Sequence, residues 1–152
     1  RLTDVVFPLH LDVRGKPVLV VGAGAVGVRR AQALAAAGAS VTVISPDAPE
    51  DLGLPLERRE FQPSDVQGMW LVLACTGVVD QQVADACEAQ QIWCGRADDA
   101  EQSAVWVPAV ARVEDAVVSV TAGRDPRRAV ALRDAIAGLL VSGDLPMDRQ
   151  RP

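Results

Sequence analysis

Aromatic residues make up only 3% of this 152-residue chain, although 49% of it is hydrophobic. A core with so few rings must be filled by Val, Leu, Ile and Ala, which suits a parallel α/β sheet buried on both faces. Cysteine is scarce too. Cys75, Cys87 and Cys94 are an odd number without CxxC spacing. That argues against a disulfide framework or a metal site and reads as reduced, mostly buried thiols of a cytoplasmic protein. The only histidine is His10, between Leu9 and Leu11, which reads as an edge position rather than a catalytic one. There is no excess of positive charge. The formal net charge of −5 argues against nucleic acid or an anionic membrane as the main partner. No apolar run approaches the length of a membrane span, and no secretory signal is recognisable. The sequence starts at Arg1 rather than Met, as expected of part of a longer protein. It shows no repeat and no low-complexity linker. Its length suits one domain with a substantial core and a small appendage.

What is present centres on residues 17–38. Val18 to Val21 is a β-branched apolar run, the pattern of a buried parallel strand. Gly22-x-Gly24-x-x-Gly27 follows at once, then an Ala-rich stretch with strong helix propensity, stopped by Gly38. Gly22 permits the tight turn, Gly24 lets a pyrophosphate approach the backbone, and Gly27 lets the helix lie close on the strand. Ala31 and Leu34 continue the sheet-facing stripe. The exposed N–H groups and dipole at the helix start suit phosphate. Strand, glycines, helix and stop in this order predict dinucleotide binding.

Ser40 to Ile44 alternates as a second strand. The acid expected about 20 residues beyond the glycines for the ribose hydroxyls is displaced to Asp47, after Pro46. Asp47, Glu50 and Asp51 are acidic with no cation close in sequence, which favours NAD over NADP. Leu56 to Phe61 reads as a third, polar edge strand. Met69 to Ala74 reads as a buried fourth strand, whose carboxyl end offers Thr76 and Gly77 to the nicotinamide half of a cofactor. Val78 to Gln90 reads as a helix with Val79, Val83, Ala86 and Cys87 on one face. Ile92 to Cys94 is a short fifth strand delivering residues 95–99 to the same crevice. Val105 to Val107 and Ala116 to Thr121 read as two further strands around a turn at 112–115. A last helix runs from Pro126 to about Ser142. Its stripe of Ala129, Leu132, Ile136, Leu139 and Leu140 calls for a second copy of the chain. The reading is α/β. A Rossmann-type doubly wound parallel sheet spans 1–111, and a small α+β dimerisation segment spans 112–152.

With those residues in view, the chain resembles the precorrin-2 dehydrogenase domain of siroheme synthases. The match rests on Phe7-Pro-Leu-His-Leu-Asp-Val-Arg-Gly-Lys-Pro-Val-Leu-Val-Val-Gly-Ala-Gly24 and on the Thr76-Gly77 segment. It rests also on Cys94-Gly-Arg-Ala-Asp98-Asp99 followed by Val105-Trp-Val-Pro-Ala109. The resemblance spans nearly the whole chain. It implies NAD-dependent oxidation of precorrin-2 to sirohydrochlorin, in some members with insertion of iron or cobalt, and often fusion to a uroporphyrinogen methyltransferase domain. It implies Asp98 as the key aspartate, and Ala25, Val26, Pro46 and Asp47 as contacts to NAD. The chain departs from the family pattern in two places. Gly95-Arg96-Ala97 replaces the usual Asn-Val-Val, and Ala122 replaces a serine before the last helix. The family's helical segment beyond the dimer region also falls past Pro152, so the resemblance supports oxidation more than metal insertion.

Read as chemistry, hydride transfer needs positioning by the protein. The proton also released needs a base. Asp98, after the fifth strand, is placed for it, and Asp99 beside it would raise the pKa of one of the pair. The tetrapyrrole's carboxylates need cations, and Arg96, Arg124, Arg127 and Arg128 are the candidates, the last three at a helix start. No metal-binding residues are assigned. Two competing readings remain open. One is an NAD-binding sensor or regulatory domain without a catalytic acid. The other is a non-catalytic half of a fused methyltransferase protein, kept for dimerisation.

Overall fold

The computed structural model describes residues 6–152; residues 1–5, the start of the expected first domain, lie outside the described residues. The chain divides into two compact units, one of residues 8–106 and one in which residues 107–152 fold together.

The larger unit holds a five-stranded parallel sheet in the order β3-β2-β1-β4-β5. Its strands are β1 (Pro17–Val21), β2 (Ser40–Ile44), β3 (Leu56–Glu57), β4 (Leu71–Ala74) and β5 (Trp93–Arg96). Two helices connect them, α1 (Ala25–Ala36) and α2 (Asp80–Ala89). β1 sits in the middle because it is apolar on both faces: Val18, Leu19 and Val20 are fully buried. Alternate residues feed two cores. Val18 and Val20 pack with Ala31, Val41, Val43 and Leu73. Leu19 and Val21 pack with Ile44, Val72, Val83 and Cys87. Each buried Val, Leu or Ile side chain among them contributes about 1.5–3 kcal/mol by leaving water.

Three sequence expectations shift in register. The third strand is only Leu56–Glu57 rather than 56–61. Arg59 leaves the sheet to pair with Glu57 and with Asp65, at 2.6 and 2.7 Å, and a capping box between Gln62 and Asp65 starts a short 3-10 turn. The fourth strand begins at Leu71, and Trp70 is left largely exposed with Lys16 over its ring, 4.2 Å from the centroid. Val105 to Val107 is not a strand. Val105 instead donates to Cys94 O at 3.2 Å and packs on the core, and Pro108 offers no N–H to a ladder.

The smaller unit is an antiparallel hairpin, β6 (Ala109–Val113) and β7 (Ala116–Val120), with the helix α3 (Pro126–Ser142). The boundary expected at 111/112 falls inside β6. Glu114, at φ +54°, makes the tight turn. Asp125 caps α3 by accepting the Arg128 N–H at 3.0 Å, and Gly143 ends it in the left-handed conformation. Ala129 is buried and Ile136 and Leu140 are half-buried, whereas Leu132 and Leu139 remain over 40% exposed. On the hairpin, Val110 and Val117 are similarly exposed.

Candidate functional site

The carboxyl ends of β1, β2, β4 and β5 open on one edge of the parallel sheet, the edge where cofactors lie in such sheets. The glycine loop is there. Gly22 has φ +104°, and a β-carbon on it would lie 2.7 Å from Cys75 O and 3.1 Å from Thr76 Cγ2. It therefore serves both the turn and the approach of the loop after β4. Gly24 is the N-cap of α1, and nothing lies within 4 Å of the position its β-carbon would take. Any other residue would project a side chain into that space. α1 has no side-chain cap and no acid in its first turn. The leading N–H groups, those of Ala25, Val26 and Gly27, have no partner within the helix. This arrangement fits a pyrophosphate.

At the end of β2, Ser45 is buried and its hydroxyl donates to Asp47 O at 3.1 Å, while Pro46 and Asp47 are exposed. One expectation fails here. A cation does stand close by: Arg58, just past β3, donates to Ala48 O and Pro49 O at 2.7 and 3.0 Å. Sequence distance hid it, because β3 pairs alongside β2 and brings residue 58 back to residue 48.

After β4, Thr76 and Gly77 are organised by a residue the sequence reading passed over. Asp80 is 1% exposed. Its carboxylate accepts the Thr76 N–H, the Thr76 hydroxyl and the Gly77 N–H, at 2.9, 2.6 and 3.0 Å. Thr76 Oγ1 in turn accepts the N–H groups of Val78 and Val79 at 3.0 Å. Thr76 and Gly77 thus shape the loop, and their N–H groups are engaged inside it. An Asp at the fourth place after a Thr, opening a helix, was the available signal. Burial pushes the pKa of the Cys75 thiol, beside them, up to about 11.

After β5, Asp98 is held rather than free. Arg96 Nε and Nη2 donate to its two carboxylate oxygens, both at 3.0 Å, and Arg96 Nη1 donates to Gln81 Oε1 at 2.7 Å. The Arg96 side chain is 7% exposed and that of Asp98 30%. Arg96 is therefore engaged by its neighbours, against the expectation that it meets substrate carboxylates. Its hydrogen bonds hold the Asp98 carboxyl below the usual carboxylate range. The expected upward push from Asp99 does not prevail. Asp99 instead accepts the N–H groups of Glu101 and Gln102, at 3.0 and 3.2 Å. Gly95 is required where it stands, since a β-carbon would meet Leu73 Cδ2 at 2.8 Å.

Arg124, Arg127 and Arg128 lie in the other unit, at the start of α3, with Arg127 and Arg128 exposed.

Residues 9–109 match the model of a family described as putative NAD(P)-binding. The chain belongs to this family. It is 35% identical over 144 residues to a siroheme synthase of Edwardsiella ictaluri, covering 88% of this chain and 31% of that protein. It is 34% identical over 143 residues to siroheme synthase 1 of Aeromonas hydrophila, with the same coverage. It therefore spans about a third of the length of these relatives. The precorrin-2 dehydrogenase of Bacillus subtilis is 26% identical over 154 residues, covering 95% of this chain and 94% of that protein. Among solved structures, SirC, a precorrin-2 dehydrogenase, superposes with a TM-score of 0.73 at 20% identity, over 88% of this chain and 70% of that one. The likeness to SirC shows the shared fold of this NAD(P)-binding chain.

Proposed function

We propose that this chain oxidises precorrin-2 to sirohydrochlorin with NAD as the hydride acceptor, as a cytoplasmic homodimeric enzyme of siroheme formation. The observation that carries the reading is Asp98, held as an ionised carboxylate on the sheet edge that also bears the glycine loop. The match to the Bacillus precorrin-2 dehydrogenase along nearly the whole of both chains supports the substrate. A sensor domain without catalysis is less well supported, because these relatives carry the names of siroheme enzymes.

In this reading the backbone of Gly22, Gly24, Ala25, Val26 and Gly27 holds the pyrophosphate, and Pro46 and Asp47 meet the adenosine ribose. The loop of Thr76 and Gly77, set by Asp80, borders the nicotinamide half. The bound nicotinamide supplies a two-electron acceptor for hydride. The tetrapyrrole loses one hydrogen as hydride and a second as a proton. The electron pair left behind becomes a new double bond of the macrocycle. Asp98 is the proton acceptor. As a carboxylate it is in the accepting form at neutral pH, and its charge favours the positive charge that develops on the ring. Arg124, Arg127 and Arg128 are our candidates for the substrate's carboxylates. The exposed Leu132 and Leu139 of α3, with Val110 and Val117 of the hairpin, support pairing with a second copy.

The test is direct. Protein, precorrin-2 and NAD⁺ are mixed and NADH is followed together with sirohydrochlorin. Equal amounts of the two products support the reading; protein that binds NAD but yields neither product rejects it.

A further inference from the structure

Arg96 is tied down on every side. Its backbone N–H donates to Ser103 Oγ at 2.8 Å, and that hydroxyl donates to Val105 O at 2.6 Å. Its guanidinium forks onto Asp98 and spends a further donor on Gln81 of α2. We propose that Arg96 is the positioning residue of Asp98: anchored on Gln81, it locks the carboxylate in one orientation. The proposal rests on the reading of Asp98 as the group that meets the substrate.

A planar guanidinium matches the two oxygens of a carboxylate, and a bidentate pair of this kind is directional as well as strong. Asp98 follows the last strand residue by two positions, on a loop, where an unpaired aspartate would sample several rotamers at a loss of catalytic geometry. A lone Arg–Asp pair on a loop would still swing as a unit. The Gln81 contact removes that freedom, because it fixes the guanidinium to the first turn of α2. Each carboxylate oxygen uses one lone pair on Arg96, which leaves acceptor capacity for a substrate proton.

Charge points the same way. The groups that face the pair are Asp99 on the same loop and Asp80 of α2, which lies within reach of both Asp98 and Arg96. Arg96 thus sets one positive charge among three carboxylates. Without it Asp98 would lose the hydrogen bonds that lower its pKa most, and its carboxyl would titrate at higher pH.

The experiment follows the Asp98 carboxyl carbon by NMR through an acid titration of the full chain, in wild type, Arg96→Met and Arg96→Lys. NAD affinity and the pH profile of precorrin-2 oxidation are measured alongside. In Arg96→Met the Asp98 midpoint is expected to rise by about one pH unit or more, the usual effect of a lost opposite charge. The acid limb of kcat/KM should rise with it, while NAD affinity holds. Arg96→Lys, which keeps charge but not the fork, should fall between. An Asp98 midpoint that stays at its wild-type value in Arg96→Met overturns the proposal. If that variant does not fold, a wild-type midpoint in Arg96→Lys overturns it instead. The titration needs no substrate. A wild type without precorrin-2 oxidation therefore rejects the function while the clamp is still read.

Discussion

A β-carbon on Gly27 would stand 2.1 Å from the carbonyl oxygen of Gly22. The obstacle is backbone, and it lies in the loop that shapes the phosphate cradle. In an ordinary helix, Gly→Ala stabilises by about 0.8–1 kcal/mol. Here the clash reverses the sign. Gly27→Ala should destabilise by about 1–3 kcal/mol, as overpacking does, and should weaken NAD binding. Gly138 of α3 is the control, since nothing lies within 4 Å of its β-carbon position. Gly138→Ala should raise stability by about 0.5–1 kcal/mol. Denaturant unfolding of both variants checks the contrast.

Asp47, with Arg58 held back from it, is expected to set cofactor choice. Two Arg58 donors are committed to the carbonyls of Ala48 and Pro49, so they are not offered as a fork to a 2′-phosphate, whereas Asp47 is exposed and repels one. NAD should bind at least about tenfold tighter than NADP, roughly 1.4 kcal/mol. Arg58→Ala should leave the ratio nearly unchanged. A titration with equal or tighter binding of NADP would contradict this.

Assembly is the third test. Leu132 is 42% exposed on α3. If that face pairs with a second copy, Leu132→Asp places a charge in an apolar contact and should shift the dimer to monomer. Light scattering at micromolar concentration reads the result. A wild type that is only monomeric would remove the dimer from the account.

Much of the fold was legible in the sequence because its causes are local. Val18 to Val21, the spaced glycines and Gly38 each constrain their own few residues. The register errors arose where a side chain overrode the strand pattern: Arg59, drawn to Asp65, ends β3 early. The site was legible in its backbone parts and not in its ion pairs. Arg96 looked like a free cation two residues from Asp98, and only the turn after β5 folds it back onto that carboxylate. Asp80 looked like an ordinary acid opening a helix. Its three acceptor contacts appear only when the loop of Thr76 and Gly77 closes over it.

The most direct measurement compares Asp98→Ala with Asp99→Ala under saturating NAD⁺ and precorrin-2. Asp98 presents a clamped carboxylate, while Asp99 is occupied with the N–H groups of Glu101 and Gln102. Asp98→Ala should lower turnover by about 10² or more, the scale of a lost general base, with NAD affinity nearly unchanged. Asp99→Ala should lower it far less. Full turnover in Asp98→Ala, or a loss confined to Asp99→Ala, would contradict the assignment of Asp98 to the reaction.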